Sequence, residues 1–258
     1  MKVAAVQHDI VWEDRDATLV LVERQIAAAA ATGARLVVLT ELFATGFSMA
    51  TERVGEPEGG PTSQFLLEQA ARHGIWVCGS VPELPPGSDR PFNQLVLAAP
   101  GGVAHRYAKI HPFSFAGEDE HYTPGPASGV ITVDVEGVRV TPFICYDLRF
   151  ADVFWPVAAA TDCYLVIASW PSPRRAHWKA LLAARAIENQ AYVVGVNRVG
   201  EGGGLTYAGD SRIIDPMGEV IAAAPKGEEA CIVADVDPRV VASTRERLPF
   251  LADRRPLT

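Results

Sequence analysis

The sequence predicts an α/β fold in which two sheets pack face to face and helices cover their outer faces. Three observations predict it. Strand–helix units recur in both halves of the chain, β-hairpins lie between and after them, and no Ser/Gly-rich linker interrupts the 258 residues. The chain therefore reads as a single domain, 1–258, with 238–258 a polar, proline-containing tail and a candidate for a subunit interface. One open doubly wound sheet is the competing architecture.

The elements follow in order. KVAAVQH (2–8) is a short apolar strand. DATLVLVERQIAAAAATG (16–33) has helical composition, with Asp16 a candidate N-cap and Gly33 past its end. RLVVLTE (35–41) is a continuous apolar run, as a strand covered on both faces requires. PTSQFLLEQAARHG (61–74) repeats the helix signature, and IWVCGS (75–80) is a third strand. FNQLVLAAPGGVAHRYAKI (92–110) then reads as two strands around a Pro-Gly-Gly turn. GVITVDVEGVRVTPFICYD (129–147) is a second hairpin, turning at Glu136 and Gly137.

Helix returns in FADVFWPVAAATD (150–162) and HWKALLAARAIENQ (177–190), each followed by an apolar strand, at 163–170 and 191–199. DSRIIDPMGEVIAAA (210–224) is a hairpin around Asp-Pro-Met-Gly, and EEACIVADVD (228–237) is the last strand.

Composition excludes several function classes. The formal charge is −8, and no basic stripe interleaved with aromatics occurs, which argues against nucleic acid or an anionic membrane surface as partner. No window approaches about 18 uninterrupted apolar residues, so no membrane span is expected. The start, MKVAAVQHDI, lacks the apolar core of a signal peptide. A cytoplasmic location with reduced thiols is the matching expectation. Cysteines 78, 145, 163 and 231 form no CxxC pair and the histidines no HExxH, so no metal site is expected. Cys78, Cys163 and Cys231 read as core thiols, and Trp155, Trp170 and Trp178 as core packing.

Reactive residue types stand where strands run out. Glu41 ends RLVVLTE, Lys109 sits in RYAKIHPF at the end of a hairpin strand, and Cys145 ends TPFICYD. In α/β sheets, ligands gather at the carboxyl ends of strands. The three types are chemically complementary. A nearby ammonium favours the thiolate, a carboxylate can take the thiol proton, and the ammonium can stabilise an oxyanion. Singly, each has a plainer reading: a solvated strand end, a surface cation, a small buried thiol.

Six blocks in order carry a resemblance over nearly the full length. They are TELFATGF (40–47), YAKIHPF (107–113), GEDEHYTPG (117–125), ICYDLRF (144–150), RAIENQAYVVGVNRVG (185–200) and GDSRIIDPMGEV (209–220). Together they resemble the nitrilase superfamily, the carbon–nitrogen hydrolases. The resemblance implies an α-β-β-α sandwich of two mixed sheets, paired into a homodimer or higher homo-oligomer. It places a Glu–Lys–Cys triad on Glu41, Lys109 and Cys145, and a second glutamate on Glu118.

The implied mechanism needs no metal or organic cofactor. Glu41 is general base to the Cys145 thiol, which attacks an amide carbon. Lys109 and the backbone N–H of Tyr146 hold the oxyanion, and water hydrolyses the resulting thioester. A carboxylate serves as base at neutral pH when burial and a second carboxylate raise its proton affinity. Glu118 is the candidate for that second carboxylate.

The expected partner is a small-molecule amide. Arg149 lies four residues past Cys145, where a guanidinium can grip a substrate carboxylate. Its plainer reading is an ion pair with Asp147 or a helix cap. CYDLRF and the run 169–200 resemble the bacterial ω-amidase branch. That implies cleavage of 2-oxoglutaramate or 2-oxosuccinamate to the 2-oxo acid and ammonia. Phe43, Trp170 and Arg174 are pocket candidates by position. Asp210, where many members carry histidine, has no role readable from the sequence. The alternatives are an N-carbamoyl-amine hydrolase or general aliphatic amidase, and a catalytically silent binding module.

Overall fold

The computed structural model describes residues 1–255. The chain runs β1 (Lys2–Gln7), α1 (Arg15–Ala31), β2 (Leu36–Val38), α2 (Thr51–Val54), β3 (Glu56–Pro57), α3 (Pro61–His73) and β4 (Trp76–Leu84). The hairpin β5 (Phe92–Ala98) and β6 (Ala104–Ala108) follows, then a one-turn helix α4 (Glu118–His121). A second hairpin, β7 (Val133–Val135) and β8 (Val138–Ile144), leads through a 3₁₀ turn (Cys145–Arg149) into α5 (Ala151–Phe154). Next come β9 (Cys163–Ala168), α6 (Arg175–Asn189), β10 (Tyr192–Asn197), β11 (Val199–Gly202) and β12 (Leu205–Ala208). The described part ends with β13 (Arg212–Ile214), β14 (Val220–Ala223), β15 (Ala230–Asp235), α7 (Pro238–Arg247) and a short 3₁₀ turn (Phe250–Asp253).

Two mixed sheets result. One has the order β15-β1-β2-β4-β5-β6, with β3 beside β4; the other has the order β14-β13-β10-β9-β8-β7. Each centres on three parallel strands, β1-β2-β4 and β10-β9-β8, flanked by antiparallel neighbours. Period-two alternation explains the layering. Val3, Ala5, Leu36, Val38, Leu95 and Leu97 face the second sheet and share a core with Val140, Phe143, Val166 and Val194. Their alternates Ala4, Val6, Val37, Val96 and Ala98 face Val22 and Ile26 of α1 and Leu66 and Ala70 of α3. Because both faces of these strands are buried, the runs read as continuously apolar. The architecture is the α-β-β-α sandwich, not one open sheet.

Local details differ from the sequence reading. The N-cap of α1 is Asp14, whose carboxylate accepts the Ala17 N–H at 3.0 Å; Asp16 sits inside the first turn. The run 35–41 leaves the ladder after Val38, because the chain bends into a loop in which Leu42 has φ +45°. The helix read at 150–162 is one α-turn followed by a 3₁₀ turn (Trp155–Ala160), since Pro156 has no N–H to continue the ladder. The tail contains α7, capped by Asp237 with Pro238 in its first turn; residues 256–258 lie outside the described residues. Cys231 is exposed, on the outer face of edge strand β15. Trp155 is 42% exposed beside the proline-broken turn, whereas Trp178 is fully buried.

Candidate active site

Strand ends from both sheets build the site. Glu41 lies in the loop after β2, Lys109 directly follows β6, and Cys145 directly follows β8. Cys145 opens the 3₁₀ turn at φ +44°, and Leu42, next to Glu41, is at φ +45°. Positive φ at a non-glycine residue is unfavourable and persists where surrounding structure imposes it. Hydrogen bonds hold the Glu41–Leu42 loop. The Ser80 hydroxyl accepts the Leu42 N–H at 2.8 Å, and Ser169 Oγ donates to the Glu41 carbonyl at 3.2 Å. Gly125, the glycine of the TPG block, lets the Glu118 segment lie against Lys109. Its N–H donates to the Lys109 carbonyl at 2.7 Å, and a Cβ there would stand 2.3 Å from the Ala108 oxygen.

The charged groups form one buried cluster. Lys109 Nζ donates to Glu41 Oε1 at 2.8 Å and to Glu118 Oε1 and Oε2 at 3.0 and 2.7 Å. Asn93 Nδ2 donates to Glu41 Oε1 at 2.8 Å and Glu118 Oε1 at 3.1 Å. Backbone N–H groups add to these bonds: Glu41 Oε2 accepts from Ser169 at 2.8 Å, and Glu118 Oε2 also accepts from Phe113 at 2.5 Å. The ring of Phe47 lies 5.2 Å from the ammonium.

Two carboxylates face one ammonium, so with a neutral thiol the cluster carries one surplus negative charge. Burial opposes the charge on Lys109, but Glu118 and Glu41 outweigh it and hold Lys109 above its ordinary range. Glu118 is pushed up, by burial first and by Glu41, against the opposing pull of Lys109. Cys145 is pushed well above the ordinary thiol range by burial and by the Glu41 charge, which Lys109 only partly offsets. The resting sulfur is therefore a thiol poised to lose its proton as it attacks. It is not the standing thiolate that a neighbouring ammonium alone would favour.

Asp147 binds the nucleophile turn to the lysine strand. Its carboxylate accepts from the Tyr107 hydroxyl at 2.8 Å, the His111 N–H and Nδ1 at 2.9 Å each, and the Ile144 N–H at 3.2 Å. This occupies Asp147 fully, so the ion pair with Arg149 considered from the sequence does not form. The Arg149 guanidinium instead lies 4.8 Å over the Trp170 ring and donates to His177 Nδ1 at 3.2 Å.

A cavity of about 220 Å³ opens onto Cys145. Tyr146, Trp170, Phe47, Phe113, Trp12 and Leu205 wall it, and Arg149 and Arg174 also face it. Among the described residues neither arginine forms an ion pair with an acid. Phe43 does not line the cavity. Its ring is fully buried against Phe65, packed where Gly79 leaves room, and Phe47 four residues on takes the place expected of it. Asp210 pairs with Arg175 through bonds of 2.8 and 2.7 Å, and its carbonyl accepts Trp178 Nε1 at 3.0 Å. It thus fixes the start of α6, beside Arg174 and Trp170.

Asn93, Ser169 and Phe47 belong to the site and escaped the sequence reading. The available signal was polar residues at the ends of apolar strand runs, in FNQLVLAA and CYLVIAS. No helix among the described residues is long and apolar enough to cross a membrane.

Comparison with known proteins gives the family. The family model for carbon–nitrogen hydrolase matches residues 2–246. The omega-amidase YafV of Escherichia coli (strain K12) is 38% identical over 261 residues, covering 98% of this chain and 96% of the relative. The 2-oxoglutaramate amidase of Bacillus subtilis (strain 168) is 32% identical over 224 residues, covering 86% of this chain and 85% of the relative. The crystal structure of XC1258 from Xanthomonas campestris, a CN-hydrolase superfamily protein with an arsenic adduct in the active site, superposes with a TM-score of 0.93. It is 34% identical, with 100% of this chain and 98% of that chain covered.

Proposed function

The chain belongs to the carbon–nitrogen hydrolase family and is an enzyme acting on amides, and from that premise we propose that it is an ω-amidase. Its substrate is a short 2-oxo acid with a terminal amide, 2-oxoglutaramate or 2-oxosuccinamate. Its products are the 2-oxo dicarboxylate and ammonia.

The observation that carries the substrate class is the pair of cavity-facing arginines, Arg149 and Arg174, without acidic partners among the described residues of a chain of net charge −8. A guanidinium held over an aromatic face and left without a carboxylate is suited to receive one from a ligand. Arg149 takes the α-carboxylate, and the aromatic walls leave room for a short chain reaching Cys145. Similarity to the YafV ω-amidase and the B. subtilis 2-oxoglutaramate amidase supports the same assignment.

The residues then act as follows. Glu41 accepts the Cys145 proton as the sulfur bonds to the amide carbon. The carbonyl electron pair moves to oxygen, where Lys109 and the Tyr146 N–H stabilise it. The pair returns, the C–N bond breaks, and Glu41 protonates the departing ammonia. A thioester is left on Cys145. Glu41 takes a proton from water, whose oxygen adds to the thioester carbon. Collapse releases the carboxylate and returns the proton to sulfur. Glu118 holds Lys109 in place and Trp170 orients Arg149. Every step uses residues of this chain alone.

We further place the enzyme in the cytoplasm as a homodimer formed by one domain. Exposed Trp155, Ile187 and Phe250 give a subunit partner an apolar surface.

The test is ammonia release from 2-oxoglutaramate, from N-carbamoyl-amines and from neutral aliphatic amides of similar length. Preference for 2-oxoglutaramate is expected, and preference for the neutral amides overturns the ω-amidase reading.

A further inference from the structure

We propose that Asn93 is a positioning residue of this site: its one amide nitrogen bridges the base Glu41 and the second carboxylate Glu118 and keeps both in their lysine-facing arrangement. The inference rests on the assignment of Glu41 as base.

Asn93 is the second residue of β5 and is 1% exposed. It bonds both carboxylates and the backbone of Lys109. Its backbone carbonyl accepts the Lys109 N–H at 3.0 Å, and its two Nδ2 hydrogens go to Glu41 Oε1 at 2.8 Å and Glu118 Oε1 at 3.1 Å. A primary amide has two donor hydrogens, and here each carboxylate receives one. The surplus negative charge of the cluster thus meets two N–H dipoles beyond what Lys109 supplies.

The other end of the amide strengthens the argument. Asn93 Oδ1 is buried and has no hydrogen-bond partner among the described residues. Buried polar atoms are rarely left unmade, because such an atom loses water and gains nothing. The rotamer is therefore fixed by the two acids and not by satisfaction of the amide itself. Flipping it would press Oδ1 against two carboxylate oxygens. A residue serving only to pack β5 would not leave its acceptor orphaned.

No other group facing the acids substitutes for it. Lys109 from the end of β6 is already shared between them. Cys145, after β8, offers only a weak thiol donor. The Ser169 and Phe113 N–H groups each serve one acid. Tyr122, beyond α4, donates its hydroxyl to the Ser48 carbonyl at 2.9 Å. Tyr207 of β12 feels the Glu41 charge but makes no hydrogen bond to it. Without Asn93, the paired acids hold a proton to higher pH and Glu41 is less available as base.

The experiment measures two pH profiles in wild type, Asn93→Ala and the near-isosteric Asn93→Asp. One is kcat/KM for 2-oxoglutaramate. The other is Cys145 alkylation by iodoacetamide, followed by mass spectrometry, which reads the same base without a productive substrate. The acid limb of both profiles is expected to move up by about one pH unit or more in Asn93→Ala, the scale of a charged hydrogen bond, and further in Asn93→Asp. KM should change little, because Asn93 does not line the cavity. Ser80→Ala, which removes only a backbone prop at Leu42, should lower kcat and leave the limb in place.

An unmoved limb in a folded Asn93→Asp variant overturns the proposal, even if its rate falls. If wild type ignores 2-oxoglutaramate while the alkylation limb still responds to Asn93, the substrate assignment fails and the positioning role stands.

Discussion

The Tyr107 hydroxyl donates a 2.8 Å hydrogen bond to the Asp147 carboxylate, and through it the strand that presents Lys109 is tied to the turn that presents Cys145. Both partners are fully buried; Tyr107 lies on a strand of one sheet and Asp147 in the turn after a strand of the other. Cys145 and Lys109 are thus registered by a contact between the two halves of the sandwich. Tyr107→Phe keeps the ring packed against Phe143 and deletes only the donor. A buried hydrogen bond to a charged group contributes about 1.5–3 kcal/mol. The expected result is a loss of that size in urea unfolding, with kcat reduced more than KM. Unchanged stability would show that His111 and the Ile144 N–H satisfy Asp147 without Tyr107.

A second prediction concerns the buried charges. Lys109→Met leaves Glu41 and Glu118 buried without their cation, and breaking such a pair destabilises by about 3–5 kcal/mol. Adding Glu118→Gln removes one of the stranded charges. The double variant should therefore be more stable than Lys109→Met alone, although both are inactive. Chemical denaturation of the two single variants and the double variant checks this, and additive losses would sink it.

Cys145→Ala tests the nucleophile. Turnover should vanish while the melting temperature stays within a few degrees of wild type, since the side chain faces the cavity and anchors no hydrogen bond of the turn. Residual ammonia release near the wild-type rate would reject Cys145 as the attacking group.

His8 supplies a pH-dependent stability term. It is fully buried between the Asp9 carbonyl, 2.8 Å from Nδ1, and Thr40 Oγ1, 3.1 Å from Nε2. Burial lowers its pKa from 6.5 to about 4. The sign follows from proton counting. Between about pH 6.5 and 4 the unfolded chain binds a proton at His8 and the folded chain does not, so stability falls as pH falls through that window. The loss approaches about 3 kcal/mol at its lower end. His8→Gln should be less stable at pH 7.5 but flatter from pH 6.5 to 4. Urea midpoints at three pH values decide it, and parallel curves would remove His8 as the cause.

How much of this was legible in the chain depends on what carried each feature. The sheets were legible, because strands covered on both faces leave runs such as CYLVIA. The blocks, whose order is written in one dimension, also named Glu41, Lys109, Cys145 and Glu118, which the fold brings together. Asn93 was not, since its meaning lies in two acids that only the folded chain brings to it. Phe43 and Phe47 could not be told apart by position, as the loop with Leu42 at φ +45° decides which ring faces the cavity. Helix α7 was hidden by a polar composition, although Asp237-Pro238 is an N-cap and first-turn signature.

Substituting Arg149 tests the proposed substrate class and separates binding from chemistry. It faces the cavity beside Cys145, stacks over Trp170 and has no acidic partner among the described residues. If it grips the α-carboxylate of a 2-oxo acid, Arg149→Met should raise KM for 2-oxoglutaramate by about ten- to a hundred-fold, the scale of one charge-assisted hydrogen bond. The same variant should cleave a neutral amide of similar length as well as wild type does, because the Glu41–Lys109–Cys145 geometry does not pass through the guanidinium. Arg149→Lys should recover only part of the affinity, since an ammonium keeps the charge but not the planar fork. Equal losses toward charged and neutral amides would mean that Arg149 props up the nucleophile turn and that the carboxylate is held elsewhere, with Arg174 the next arginine to substitute.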